Sequence, residues 1–146
     1  MKQLEKIVAL GFFVIVMLTG CSKFETAKVH IVPPDYNPDT KEATITAIIA
    51  DYGGCSYLRE VGFCYRLDTL NLPNLNDVYS HTEIVFDIKD FKDSIFTAST
   101  FTKTFMLEEV DTTYWVRAYV KNSAGVSYSD TMRVSTKLAN NPEKEK

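Results

Sequence analysis

TTYWVRAYVKNSAGVSYSD, residues 112–130, decides the fold. Over 113–121, Tyr114, Val116, Ala118 and Val120 alternate with Trp115, Arg117, Tyr119 and Lys121. A period of two in branched and aromatic residues is the pattern of a strand with one face on a core. Asn122-Ser123-Ala124-Gly125 supplies turn residues, and VSYSDTMRVSTK (126–137) returns as the last strand. A lone hairpin is at best marginal in water, so this pair needs further strands and a second layer.

The preceding sequence supplies them. ATITAIIAD (43–51) sets Ala43, Ile45, Ala47 and Ile49 against Thr44 and Thr46, and Gly53-Gly54 stops it. LREVGFCYR (58–66) and HTEIVFDI (81–88) read as strands, joined by a long loop, LDTLNLPNLND (67–77). DFKDS is a turn, and 95–107 holds one or two strands with Phe101, Phe105 and Leu107 facing inward. Val29, Ile31 and Val32 suggest a first edge strand closed by Pro33 and Pro34. No segment after residue 20 has a helical period. Seven or so short strands point to an all-β sandwich of two antiparallel sheets, with a closed barrel as the alternative.

VGFCYR (61–66) together with residues 112–130 is similar to fibronectin type III-like (immunoglobulin-like) domains of Gram-negative envelope lipoproteins. The resemblance covers most of Ala43–Lys137. It implies that Tyr114 forms a tyrosine corner, its hydroxyl on nearby backbone. The chain departs from the family at Leu107-Glu108-Glu109-Val110-Asp111, which lacks the usual proline, and in its longer 67–100 region.

The N-terminus, MKQLEKIVALGFFVIVMLTGC, has Lys2 and Lys6 followed by an uncharged run, Ile7 to Leu18. Those 12 residues fall short of the roughly 20 that span a bilayer and suit a secretory signal. Leu18-Thr19-Gly20-Cys21 resembles the lipobox of bacterial lipoproteins. That resemblance implies a diacylglycerol on the Cys21 thiol, cleavage just before it, and palmitate-type acyl chains that hold the protein to membrane lipid. Ser22, in place of aspartate, resembles outer-membrane members. The expected organisation is therefore a signal peptide at 1–20, a lipidated tether at 21–27, the sandwich at 28–137 and a polar tail at 138–146. Of 16 basic and 19 acidic residues, two and one leave with the signal, so 14 against 18 remain, a charge of −4. A mildly acidic chain of 126 residues gives no reason to expect nucleic acid.

Residues of chemical interest are few. With Cys21 acylated, Cys55 and Cys64 remain; read along a strand they are about 20 Å apart, against a limit near 7 Å for a disulfide. Two free thiols are expected, Cys64 packed against a sheet. His30 and His81 have no metal-ligand spacing, and Asp87, Asp90 and Asp93 lack the glycine and glutamate of a calcium loop. No catalytic motif, metal site or cofactor signature is present, so an enzyme is the least favoured class. Trp115, Arg117 and Tyr119 form an outward row suited to stacking on a sugar or an aromatic side chain, or to packing on Tyr128 or Met132. Tyr57 and Tyr79 are loop candidates of the same kind. Asp-Thr/Ser triplets at 68, 93, 111 and 130 resemble periplasmic O-glycosylation acceptors, with Thr69 and Ser94 as the candidates.

Together these features suggest a lipid-anchored lipoprotein of the cell outer membrane, its face undetermined, acting as a non-catalytic protein-interaction or spacer module with an envelope protein partner. The alternatives are a glycan-binding accessory lipoprotein of a polysaccharide-uptake system and a minor adhesin or pilus-type subunit.

Overall fold

A computed structural model describes residues 24–67, 71–90 and 95–137. The described residues form nine strands: β1 (Lys28–Ile31), β2 (Asp35–Asn37), β3 (Glu42–Asp51), β4 (Glu60–Leu67), β5 (His81–Asp87), β6 (Thr100–Met106), β7 (Thr113–Lys121), β8 (Val126–Tyr128) and β9 (Met132–Ser135). Every pairing between them is antiparallel.

The strands make two sheets. β3 is central in one, with β1 and β2 end to end along one side and β6 along the other. In the second sheet the order is β5-β4-β7, with β8 and β9 end to end beyond β7. Nine strands thus occupy seven ladder positions, in the order of a fibronectin type III-like sandwich rather than a closed barrel.

Both breaks have local causes. Pro33 and Pro34 carry no amide hydrogen, so the first ladder position is interrupted after Val32 donates to the Thr46 carbonyl (2.9 Å). The chain pairs again at Asp35–Asn37, a short strand that the turn-like composition of that stretch had hidden. The last strand was expected to be continuous over 126–137. Instead Ser129 turns inward, exchanging an all-backbone pair for a mixed one: its amide donates to Ala118 O (2.9 Å) and its Oγ accepts from Ala118 N (3.0 Å).

The core lies where the alternation puts it. Tyr114, Val116, Ala118 and Val120 of β7 face Val29, Ala43, Ile45, Ala47, Ile49, Phe101 and Phe105 from the other sheet. Rings run through it: Tyr65 stacks between His81 (5.2 Å) and Phe105 (4.6 Å) and meets Tyr114 edge-on (6.0 Å). Further along, Phe101 contacts Phe63 (5.1 Å) and Phe96 (6.2 Å). Each such pair contributes about 0.5–1.5 kcal/mol beyond the area it buries.

The corner forms without its proline. The Glu109 amide donates to the Tyr114 hydroxyl (3.0 Å), Leu107 is fully buried, and Asp111 takes φ +55. Aspartate tolerates the left-handed region better than most residues, which lets this turn close. Tyr114→Phe removes the acceptor and leaves the Glu109 amide unpaired. Equilibrium denaturation should show about 1–2 kcal/mol of lost stability with the cooperative transition intact; an unchanged midpoint would mean the corner bears no load.

Candidate functional site

Outward-facing residues of a sheet are ordinarily solvated. Here the outer face of β4 and β7 is covered. Residues 71–80 fold across it, with Pro73 fully buried and the Leu75 amide donating to the Tyr128 hydroxyl (3.2 Å). Asp77 anchors the loop. Its carboxylate pairs with Arg66 and accepts from Ser80 Oγ (2.9 Å) and Tyr79 N (3.1 Å). The Tyr79 amide above all, then Ser80 and the Arg66 charge, hold that carboxyl below its ordinary value despite the opposing effect of desolvation. Arg66 is only 7% exposed, and its Nε has no acceptor.

The Trp115, Arg117 and Tyr119 row shares one face, as its spacing requires, but it is not an open platform. Tyr119 is 0% exposed; its ring lies over Gly62, where any Cβ would meet it at 2.8–2.9 Å, and its hydroxyl donates to Glu60 (2.9 Å). Arg117 covers the Tyr128 ring at 4.7 Å and donates through Nε to Ser129 O (3.0 Å). Arg133 lies over the Trp115 ring at 4.3 Å. Trp115 and Arg117 keep partial exposure, and the row works chiefly as arginine–aromatic packing. Cross-strand neighbours that no single-strand pattern reveals, Tyr128 and Arg133, are what close it.

Cys55 and Cys64 are free, as expected. Cys55 is half-buried with Sγ 3.1 Å from Ser123 Oγ; Cys64 is buried on the covered face. Burial pushes the Cys64 thiol up to about 12, with the Arg117 charge opposing. That is the reverse of an activated nucleophile. Among the described residues no group of histidine, cysteine and carboxylate side chains is disposed to hold a metal ion. Cys21, Thr69 and Ser94 lie outside the described residues.

An open cleft lies at the end of the sandwich where β4 and β6 finish and β5 begins. The cleft, of about 390 Å³, is lined by Tyr65, Arg66, Tyr79, His81, Glu108 and Glu109, among others. Tyr79, 74% exposed, stands at its rim, with Arg66 5.8 Å from its ring. Tyr79 had a sequence signal only as a loop aromatic. The two glutamates had none, because they come from a turn more than 25 residues away.

At the opposite end the backbone draws together around Glu25, beside a smaller cleft lined by Phe24, Cys55, Tyr57, Arg59 and Ser123. Asn122, 3% exposed, donates through Nδ2 to Glu25 O (2.7 Å) and Tyr52 O (3.0 Å). Its Oδ1 accepts from Ala124 N (2.9 Å) and Gly125 N (3.1 Å). Glu25 N donates to Gly53 O (3.0 Å), and Gly53, at φ +67, leaves 1.9 Å between a hypothetical Cβ and Glu25 O. Only glycine fits there.

No family model matches this chain, and no curated protein does. Among solved structures it is similar to the fn3 domain of the human collagen alpha-1(XX) chain: 18% identity, 88% of this chain and 96% of that one, TM-score 0.44. It is also similar to the third fibronectin III domain of human KIAA0343 protein, at 15% identity, 82% and 85% coverage and TM-score 0.39.

Buried hydroxyls and a buried thiol give the fold a pH signature. Tyr65 is pushed up to about 12 by burial first, then by Glu83, Tyr114 and Glu108; Tyr119 is raised further by burial and by Glu60. Unfolded, such groups release protons near 9.0 for cysteine and 10.0 for tyrosine. From those values upward the unfolded chain binds fewer protons than the folded one, so stability falls as pH rises. Denaturant midpoints should hold steady up to about pH 9 and decline steeply by pH 12; a flat profile would contradict the burial of these groups.

Proposed function

We propose that this protein is a lipid-anchored, non-catalytic interaction module of the Gram-negative outer membrane, held by acylated Cys21 and presenting its partner-binding end away from the bilayer. The observation that carries this reading is the fixed start of the chain. Glu25 is bonded to Gly53 and Asn122, so only Ser22, Lys23 and Phe24 separate Cys21 from a backbone locked into the sandwich. The four Cα–Cα steps from Cys21 to Glu25 reach at most about 14 Å. An anchor so short holds the Asn122 end against the lipid surface.

The cleft then lies at the far end of β4 and β7, strands of 8 and 9 residues, or about 25 Å away. Arg66, locked to Asp77, and Tyr79 give that end a rigid floor and an exposed aromatic. The glycan alternative loses support with the burial of Tyr119, since one ring of its three-residue platform is out of reach.

Mass spectrometry of the native protein tests the anchor. The expected N-terminal peptide begins at Cys21 and carries a diacylglycerol and a further acyl chain, and Cys21→Ser leaves an unacylated chain. A native chain retaining residues 1–20, or a soluble one cut elsewhere, overturns the reading.

A further inference from the structure

The far end carries a feature that neither the fold nor the anchor explains. Of the large apolar side chains left exposed, Leu67, Tyr79 and Met106 line the cleft, while Val78 and Val110 are chain neighbours of its lining residues. Val78 is 88% exposed. Clustered exposed apolar residues rimmed by polar ones mark protein contact surfaces.

The charges within the cleft restrict what covers it. Its one arginine is already neutralised by Asp77. The three ion pairs among the described residues, Arg66–Asp77, Lys103–Glu83 and Lys121–Glu60, engage neither Glu108 nor Glu109. Tyr65 and Tyr114 add phenolic oxygens to the same wall. A partner that buries the apolar rim also removes water from these two carboxylates. Desolvating a carboxylate without a counter-charge is costly, and an anionic partner is repelled outright.

We propose that the cleft docks a lysine or arginine side chain of a protein partner, flanked by apolar residues that cover Leu67, Val78, Tyr79 and Met106. The proposal deepens the interaction-module reading and does not need the lipid anchor. A volume of about 390 Å³ accommodates a long basic side chain with its neighbours. The exposed Tyr79 ring stacks on the aliphatic stem or the cation, and Glu108 and Glu109 neutralise the head group.

The test is display selection of random dodecapeptides on the immobilised native chain, followed by anisotropy titration of the selected peptides. The selected peptides should share a lysine or arginine between apolar positions. Their affinity should fall about tenfold or more with Glu108→Gln/Glu109→Gln and with Tyr79→Ala, and should weaken as salt is raised. All three substituted side chains are exposed, so folding is preserved, which near-ultraviolet circular dichroism checks. Trp115→Ala should leave affinity unchanged. No enrichment, no basic preference, or equal binding by the Glu108→Gln/Glu109→Gln protein would overturn the proposal. So would butylamine competing mole for mole with the peptide, which would assign the cleft to free amines. A failure of acylation appears in the mass of the N-terminal peptide and leaves peptide binding intact, so the two readings fail separately.

Discussion

One asparagine fixes the polarity of this domain. An amide side chain has two donors and two acceptor positions, and Asn122 uses all four on backbone groups from three parts of the chain. It joins the residues before β1, the turn after β3 and the turn after β7. A buried amide that loses any of these partners costs about 1–3 kcal/mol, so the arrangement is held as a unit. Its consequence reaches beyond stability, because it ties Glu25 to the same end of the sandwich as the turns after β3 and β7.

The two ends have different physical characters as a result. Around Asn122 the backbone is saturated and closely approached, to the point that only glycine fits at 53. At the other end the Tyr114 corner closes the core beneath the surface, while the side chains above it stay open. The covering loop separates these roles. By pinning Asp77 to Arg66 and Leu75 to Tyr128, it covers part of the outer face of the second sheet and leaves the cleft at the end of the sandwich open.

Much of the fold was legible because its signals are local. The alternation over 113–121, the glycines at 53 and 54 and the polar turn at 122–125 each act within a few residues. The corner was legible too, through a single residue, Tyr114. What composition hid was pairing between distant segments. Asp35–Asn37 reads as a turn and becomes a strand because β3 offers free ladder positions after the prolines. Tyr119 reads as outward and is buried, since strand spacing says which face a residue takes and nothing about what covers that face. Glu108, Glu109 and Tyr79 are brought together only by the folded ends of β4, β5 and β6.

The proposed anchoring turns this polarity into an orientation on a membrane. It is tested most directly by fluorescence energy transfer in nanodiscs, from a headgroup-labelled lipid to a single dye placed either at Ser123 or at Val110, both exposed. If a lipid on Cys21 holds the Asn122 end down through Ser22, Lys23 and Phe24, as proposed, transfer to the dye at 123 should be strong. Transfer to the dye at 110 should be weak, at a separation greater by about 25 Å. Equal transfer from the two sites, or stronger transfer at 110, would contradict the account.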